Sequence, residues 1–330
     1  MGLRFNPGRR AALGMGAALG LARALPAWAQ DYPSKPIRLV VPFATGGGSD
    51  TVARAVAEKL TVDWKQPIIV DNRPGAGGAL GTNIVARSAP DGYTLLLSDA
   101  SAVTINPSLY PKLPYSAADL TPVINVATFA LVLVVPVNSP IKSVQDLVAM
   151  DKANPGHFNA ASSGPGSSPH LMLEMMNAIA GTKLVHVPYK GGGPAMIDVV
   201  AGQVDLMFNG LSGGTMSLIT GGKVRALAVT TAKRIASLPD VPTLAESGYP
   251  GVEVVSAQSL FVPAGTPAPI VDALNTEITR ILQLPDIEQR WAQSGFLPPQ
   301  KESPAQVAAW FASESEKWSK LISDRKITVE

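Results

Sequence analysis

Short apolar runs in this chain repeatedly end in a glycine-rich loop and are followed by a helix-like segment. The run Ile37–Pro42 precedes the loop Thr45–Asp50, and Val52–Leu60 then carries apolar residues at helical spacing. In the middle of the chain, Phe158–Ser162 precedes a Ser/Gly-rich loop, and His170–Ala180 is the helix-like segment that follows. This repeated order predicts an α/β fold in which helices cover the faces of a parallel sheet.

The repeated order falls into two groups, which predicts two α/β lobes. Lobe 1 is predicted at residues 30–128 and 256–330, and lobe 2 at residues 129–255. The strand-rich segments Pro122–Pro136 and Val252–Pro263 are long enough to cross between the lobes. We therefore expect a two-strand hinge that permits closure over a ligand. One continuous sheet is the alternative.

The first 29 residues have the three parts of a secretory signal peptide. Arg4, Arg9 and Arg10 form a basic start, Ala11–Ala22 is apolar, and Ala27-Trp28-Ala29 is a small-residue cleavage site. The apolar stretch is shorter than the roughly 20 residues of a membrane span, so we expect cleavage. The arginine pair leaves both the Sec and the twin-arginine export routes open. An ordinary N-terminal helix is the alternative.

Removal of residues 1–29 changes the charge of the chain. Four arginines and no acidic residue are lost, so 23 basic residues face 25 acidic ones, a formal net charge of −2. No basic run remains that would favour nucleic acid or an anionic membrane surface. The chain has no cysteine, and His157, His170 and His186 do not have metal-ligand spacing. We therefore expect no metal, no cofactor and no nucleic-acid partner.

The two glycine-rich loops are the candidates for a ligand site. Ligands of open α/β sheets bind at the carboxyl ends of strands. The helix that follows each loop begins with N–H groups that lack an intrahelical partner and carry partial positive charge. Neither Phe43–Asp50 nor Ser162–Ser168 contains Arg or Lys. Helix N-termini and water, rather than an arginine clamp, are therefore predicted to hold a carboxylate.

Individual residues of these loops carry further expectations. Ser49 or Asp50 is expected to cap the first helix, because an Asp50 carboxylate without a counter-charge would repel an anionic ligand. A β-branched residue at Gly47 is expected to block close approach and to strain any positive φ. It should therefore damage binding more than Ser163→Ala. Asn209, which follows a predicted strand, is expected to reach the ligand from the second lobe.

Enzyme signatures are weak in this sequence. Gly46-Gly47-Gly48 lacks the Lys-Ser/Thr end of a P-loop, and Gly75–Gly81 does not fit G-x-G-x-x-G. The serine-rich loop contains no G-x-S-x-G nucleophile elbow. A hydrolase that uses Ser163 or Ser167 with His170 is the enzyme alternative, and the prediction is that the protein is not an enzyme.

Seven motifs in order along the mature chain are similar to those of one family, the tripartite tricarboxylate transporter substrate-binding proteins, also called Bug proteins. The motifs are Tyr32-Pro33-Ser34-Lys35-Pro36-Ile37, Val41–Asp50, Asn72–Gly78, Pro90–Leu95, Asn106–Leu109, Ser163–Ser167 with His170, and Val187–Gly191. The resemblance implies a periplasmic, Venus-flytrap (type II-like) protein of two lobes that captures a small carboxylate. It further implies delivery to membrane transporter subunits. The alternative is a periplasmic sensor that presents its loaded form to a signalling receptor.

The resemblance also implies a set of ligand-binding residues in a monomeric protein without catalytic residues. They are Phe43, Thr45, Gly46, Gly47, Asp50, Ser98, Ser162, Ser163, Ser167 and Asn209. Two positions depart from the family pattern. Asn209 stands where members often carry Asp, and Ser98-Asp99-Ala100-Ser101 is more polar than the family's small-residue stretch, a difference that bears on ligand choice.

The cleavage site generates a first prediction. N-terminal sequencing of the protein recovered from the periplasm should begin at Gln30 or within a few residues of it, because signal peptidase cuts after a small-residue motif. Recovery of the chain with Met1 intact from the cytoplasm would contradict export.

Overall fold

Strand β4 (Leu120–Pro136) belongs to both halves of a nine-stranded sheet. Its residues from Leu120 to Ala130 pair with β9, and those from Leu131 to Pro136 pair with β7 and β8. The first half-sheet has the strand order β2-β1-β3-β9-β4, and the second has β8-β4-β7-β5-β6. The protein therefore has two α/β lobes that are joined through a shared strand.

The computed structural model describes Met1, Gly2 and residues 32–328, and the predicted signal peptide lies almost entirely outside these residues. The strands are β1 (Ile37–Val41), β2 (Ile68–Asn72), β3 (Thr94–Asp99), β4 (Leu120–Pro136), β5 (Asn159–Ser162), β6 (Val185–Pro188), β7 (Leu206–Gly210), β8 (Val224–Val229) and β9 (Val255–Pro263). The helices are α1 (Gly48–Trp64), α2 (Ala79–Ala86), α3 (Ser101–Thr104), α4 (Asn106–Leu109), α5 (Val144–Ala153), α6 (Ser168–Ala180), α7 (Gly192–Val200), α8 (Gly213–Thr220), α9 (Ala268–Leu282), α10 (Pro285–Gln293) and α11 (Pro304–Arg325). Among the described residues, no helix combines the length and apolarity of a bilayer span.

The sheet is mixed rather than parallel throughout, which corrects one expectation. Strands β1, β2 and β3 are parallel to one another, as are β5, β6 and β7. Strands β4 and β9 run antiparallel to their neighbours. These two strands carry the chain between the halves, and their antiparallel pairing forms the two-strand hinge. The exact lobe boundaries, 128/129 and 255/256, stay predictions.

Alternating residues of β4 pack into two different cores, because successive side chains of a strand point to opposite faces. Leu131, Leu133 and Val135 belong to the core under α6, whereas Val132 and Val134 belong to the core under α7. Met172, Leu173, Met175 and Met176 of α6 lie in the first of these cores, so they are packing residues.

Helix α11 packs against both halves of the molecule. Val307 and Phe311 join the core of the first half-sheet, and Trp318 and Ile322 join the core beneath α6. Ser303 begins the helix with a capping box, and proline follows at the first helical position. The C-terminal segment thus returns to cover both halves.

A buried histidine, His170, and a partly buried one, His186, stack where α6 meets β6. The rings of His170 and His186 lie 4.1 Å apart, and His170 is only 3% exposed. The N–H of Gly166 donates to Nδ1 of His170, so this nitrogen carries no proton. Burial, followed by the charge interaction with His186, lowers the pKa of His170 to about 3, and burial lowers the pKa of His186 to about 4. Both rings are neutral at neutral pH.

The histidine pair predicts a loss of stability in acid. Both folded pKa values lie below the unfolded value of 6.5, so the unfolded chain binds more protons as the pH falls. The stabilisation is complete above about pH 6.5 and disappears as the pH falls through about 4 and 3, a change on the order of a few kcal/mol. Thermal unfolding at each pH should therefore be less pH-dependent for His170→Gln/His186→Gln than for the parent.

The exposed His157 provides the matched control. His157→Gln should follow the parental dependence of melting temperature on pH. A double variant as acid-sensitive as the parent would show that other groups cause the acid transition.

Candidate ligand-binding cleft

The two halves of the molecule touch along both rims of a cleft, and the contacts are made largely by backbone. On one rim, the N–H of Ala44 donates to the carbonyl of Lys190 at 3.1 Å. On the other, the Tyr110 hydroxyl donates to the carbonyl of Pro165 at 2.5 Å. A Cβ on Gly77 (φ +57°) would lie 1.8 Å from that same carbonyl, so only glycine permits this approach.

Four helix N-termini converge on the cavity between these rims. Its lining includes Gly47 and Gly48 at the start of α1, Ser167 at α6, Gly192 at α7 and Ser212 at α8. None of these four helices has a side-chain hydrogen bond at its N-cap. The first N–H groups of a helix carry partial positive charge and need an acceptor, so the cavity is suited to an anion. The sequence predicted the termini of α1 and α6 as anion sites and also favours a helix after Tyr189–Pro194, which is α7; α8 was not anticipated.

Asp50 does not cap α1, which corrects the expected role. Gly47 is the N-cap, and Asp50, in the first turn, accepts a hydrogen bond from the N–H of Gly46 instead. Arg54, one turn further along α1, forms an ion pair with the carboxylate, and Asn72 also donates to it. Burial raises the pKa of Asp50, but the hydrogen bonds from Arg54, Gly46 and Asn72 outweigh it, and the pKa lies below its ordinary value. The charge that would repel a ligand is thereby neutralised.

The glycines of the first loop differ in backbone conformation. Gly46 has a left-handed φ of +82°, whereas Gly47 has φ −82°, which other residues also adopt. A Cβ on Gly47 would make only ordinary contacts, the nearest with the N atom of Gly193 at 3.6 Å. The expectation of positive-φ strain at Gly47 is therefore wrong, and Gly46 is the residue that needs to be glycine.

The second loop is held together by its own serines. Ser162 is fully buried; its Oγ lies 2.6 Å from Nε2 of His186 and accepts from the N–H of Gly164. Ser167 donates to the carbonyl of Gly164 at 2.7 Å. Ser163 lines the cavity, and no hydrogen bond ties its hydroxyl to the described residues. Of these three serines, Ser163 has the hydroxyl best placed to meet a ligand.

The structure brings five of the ten predicted site residues to one cavity. These are Phe43, Gly47, Ser163, Ser167 and Asn209. Gly46 lines an adjoining cavity that also includes Gly47 and Asn209. Thr45, Asp50, Ser98 and Ser162 line neither cavity. Ser98 is fully buried, and its hydroxyl donates to the carbonyl of Asp99.

Four polar residues of the cavity were not among the ligand-binding residues predicted from the sequence: Ser49, Asp99, Ser212 and Gln258. Asp99 follows Ser98, and successive strand residues point to opposite faces, so the carboxylate faces the cavity where the serine does not. Gln258 lies directly opposite Asp99 on β9 and lines the same cavity. The polarity of the stretch at Ser98–Ser101 was a signal for Asp99; the pairing with Gln258 required the strand register.

The remaining wall is apolar and partly aromatic. Phe43, Phe129, Leu131, Leu211 and Phe296 line it. The rings of Phe129 and Phe296 are 6.1 Å apart and tilted. Among the described residues, neither this cavity nor the adjoining one is lined by Arg, Lys or His. Any anion held here would rely on N–H and hydroxyl donors.

Two features resemble parts of a serine hydrolase. The sequence Gly210-Leu211-Ser212-Gly213-Gly214 fits G-x-S-x-G between β7 and α8. Ser212, however, has an extended conformation (φ −147°, ψ 166°), and its hydroxyl pairs with Thr215 rather than with a histidine. The contact of Ser162 with His186 involves a serine that does not line the cavity. The nucleophile and the base are thus not combined at the cleft.

Comparison with known proteins identifies relatives of the same fold. BugD, described as a periplasmic binding protein, is 36% identical and superposes with a TM-score of 0.85 over 91% of this chain and 100% of its own. MatC of Rhodopseudomonas palustris with bound malate is 33% identical, with a TM-score of 0.85 over 88% of this chain and 100% of its own. Rpa4515 of R. palustris with adipate is 34% identical, with a TM-score of 0.86 over 90% of this chain and 99% of its own.

The sequence profile of the tripartite tricarboxylate transporter family receptors (TctC) matches residues 52–327. This match covers most of the chain, and the solved structures above share its fold over nearly their whole length. The chain therefore belongs to the TctC family of tripartite tricarboxylate transporter receptors.

Proposed function

We propose that this protein is a periplasmic solute-binding protein that captures a small carboxylate between its two lobes and delivers it to a tripartite tricarboxylate-type membrane transporter. The observation that carries the proposal is the convergence of four uncapped helix N-termini on one cavity. Malate in MatC and adipate in Rpa4515 support a carboxylate as the ligand class.

The electrostatics of the cavity favour a carboxylate held by main-chain donors. A helix N-terminus stabilises a nearby anion by about 0.3–1 kcal/mol, and by up to about 2 kcal/mol in partly buried geometry. Four termini acting on one group could thus supply several kcal/mol without any arginine or lysine. The Ser163 hydroxyl is available as an additional donor. Thr45, Asp50, Ser98 and Ser162 are then supporting residues, and Asp50 sets the loop conformation through Gly46.

Closure of the two lobes is the second part of the proposal. The rim contacts join Ala44 to Lys190 and Gly77 to Pro165. Three of these four residues, Ala44, Lys190 and Pro165, lie in loops that also line the cavity. A ligand that contacts both lobes would favour the closed form, because it binds that form better than the open one. We propose residues 30–128 and 256–330 as one moving body, and residues 129–255 as the other.

Capture rather than catalysis is proposed because, in the part of the chain that the structure describes, no nucleophile–base pair faces the cleft. After binding, the protein has two possible roles. It delivers the ligand to a transporter, or it presents the loaded form to a signalling receptor. Delivery is favoured by the family to which the chain belongs, whose members are named as transporter receptors.

Filling the cavity should weaken binding. A Cβ on Gly192 would lie 2.9 Å from Oδ1 of Asn209 and 3.5 Å from Oγ of Ser163, between two polar groups of the cavity. Gly192→Ala should therefore weaken binding of the best carboxylate by about ten-fold or more, the equivalent of about 1.4 kcal/mol. Calorimetric titration of the protein purified from the periplasm with mono- and dicarboxylates, including malate and adipate, would measure this.

Gly214→Ala is the matched control, because a Cβ there meets nothing within 4 Å and the residue lines only the adjoining cavity. It should bind like the parent. Equal loss in both variants would indicate misfolding, and loss in Gly214→Ala alone would place the ligand in the adjoining cavity.

Uptake by whole cells tests the delivery step. Deletion of the gene should abolish uptake of the radiolabelled carboxylate, and a plasmid copy should restore it, because a transporter of this type depends on its binding protein. A plasmid copy carrying Gly192→Ala should restore little. If uptake is unchanged while induction of genes by the carboxylate is lost, the protein is a sensor.

A further inference from the structure

The cavity contains one fixed carboxylate that has no counter-charge in the described part of the chain. Asp99 is 6% exposed and lines the cavity. Its partners are all neutral donors: the N–H of Ser101 at 2.9 Å, and the hydroxyls of Ser168 at 2.8 Å and Ser256 at 3.1 Å. A buried charge is normally paired with an opposite one. The carboxylate has about four acceptor positions, of which these donors occupy three.

A second acceptor beside Asp99 also lacks a partner. Gln258 is 5% exposed and lines the same cavity, and its Oε1 is buried without a hydrogen bond. In an antiparallel sheet, residues directly opposite each other, as Asp99 and Gln258 are, share one face with their Cβ atoms about 5 Å apart. An unpartnered buried amide oxygen is destabilising until a donor reaches it. Asp99 has one acceptor position left and Oε1 of Gln258 has no donor, so the two residues together form an acceptor pair that can receive further hydrogen bonds.

We propose that the acceptor pair Asp99/Gln258 receives the ammonium group of the ligand, which is an amino acid. This inference rests on the proposed function, in which helix N-termini of the same cavity take the carboxylate; Asp99 itself lies at the start of one of these helices, α6, through Ser168. An ammonium group supplies three donors and one positive charge, which is what the pair lacks. A dicarboxylate would instead place a second anion near Asp99, at a cost in this buried setting.

The apolar wall narrows the class of amino acid. Phe129, Leu131, Leu211 and Phe296 offer no donor to a third polar group, and they fit an aliphatic or aromatic side chain. A metal ion is a poorer occupant, because the described residues contain no group of three His, Cys, Asp or Glu side chains that could bind one. The ligand is therefore an amino acid with an apolar side chain.

Two sets of matched compounds test the proposal by calorimetry on the protein purified from the periplasm. One set is L-phenylalanine, 3-phenylpropanoate and 2-phenylethylamine; the other is L-leucine, 4-methylpentanoate and 3-methylbutylamine. In at least one set, the amino acid should bind about ten-fold or more tightly than the acid without the amine, since charge-assisted hydrogen bonds are the strong ones. The amine alone should bind weakly.

Two variants show whether Asp99 and Gln258 cause this preference. Asp99→Asn keeps the side-chain shape. It should make the affinity for the amino acid similar to the affinity for the acid that lacks the amine. Gln258→Met keeps the length without the acceptor and should reduce the preference, which keeps the proposal testable if Asp99→Asn does not fold. Asp91→Asn, a carboxylate outside the cavity, is the control and should retain the parental preference. If Asp99 merely links the two lobes through Ser168, its loss would weaken both acids equally, which would refute the ammonium site.

The outcomes separate this inference from the proposed function. Equal binding of an acid with and without its amine refutes the ammonium site and leaves carboxylate capture intact. The ammonium site is also refuted, and carboxylate capture is again left intact, if malate or adipate binds while none of the six compounds binds. An amine that binds as tightly as its amino acid refutes carboxylate capture but supports the ammonium site.

Discussion

Strand β4 is the constraint on which the two-lobe arrangement depends. Its 17 residues pair with β9 in the first half of the sheet and with β7 and β8 in the second. Because β9 pairs antiparallel with the part of β4 before Leu131, two adjacent strands connect the halves. The carboxyl ends of the parallel strands in each half then face the same cleft, and the helices that follow them begin there.

The cleft derives its positive potential from the start of helices rather than from charged side chains. Asp50 would oppose this potential, but the Arg54 guanidinium neutralises its charge and Asn72 donates a hydrogen bond to it. Asp99 remains as a negative charge inside the cavity, bound only by neutral donors. The site therefore combines anion-binding helix N-termini with one fixed carboxylate, which lies at the start of α6 through Ser168. A ligand would be selected by how its own charges match both.

Several features of the fold could be predicted from the sequence, because local pattern determines them. The apolar runs before Thr45 and Ser163 marked the strands, and the loops between strand and helix marked two of the anion sites. Helix α8 was missed because it begins with Gly213 and Gly214, and glycine has a low helix propensity. Gln258 was missed because its position opposite Asp99 depends on strand register, which no local motif encodes. The conformation of Gly47 likewise depends on the loop as a whole.

The contact of Gly77 with the carbonyl of Pro165 has a consequence for the rate of ligand exchange. Backbone atoms of the two halves meet at this rim, and the Tyr110 side chain beside them is tied to the same carbonyl. Opening the rim therefore requires the backbones of the two halves to move apart. Under the proposed function, the lifetime of a captured solute would then depend on how often the lobes open.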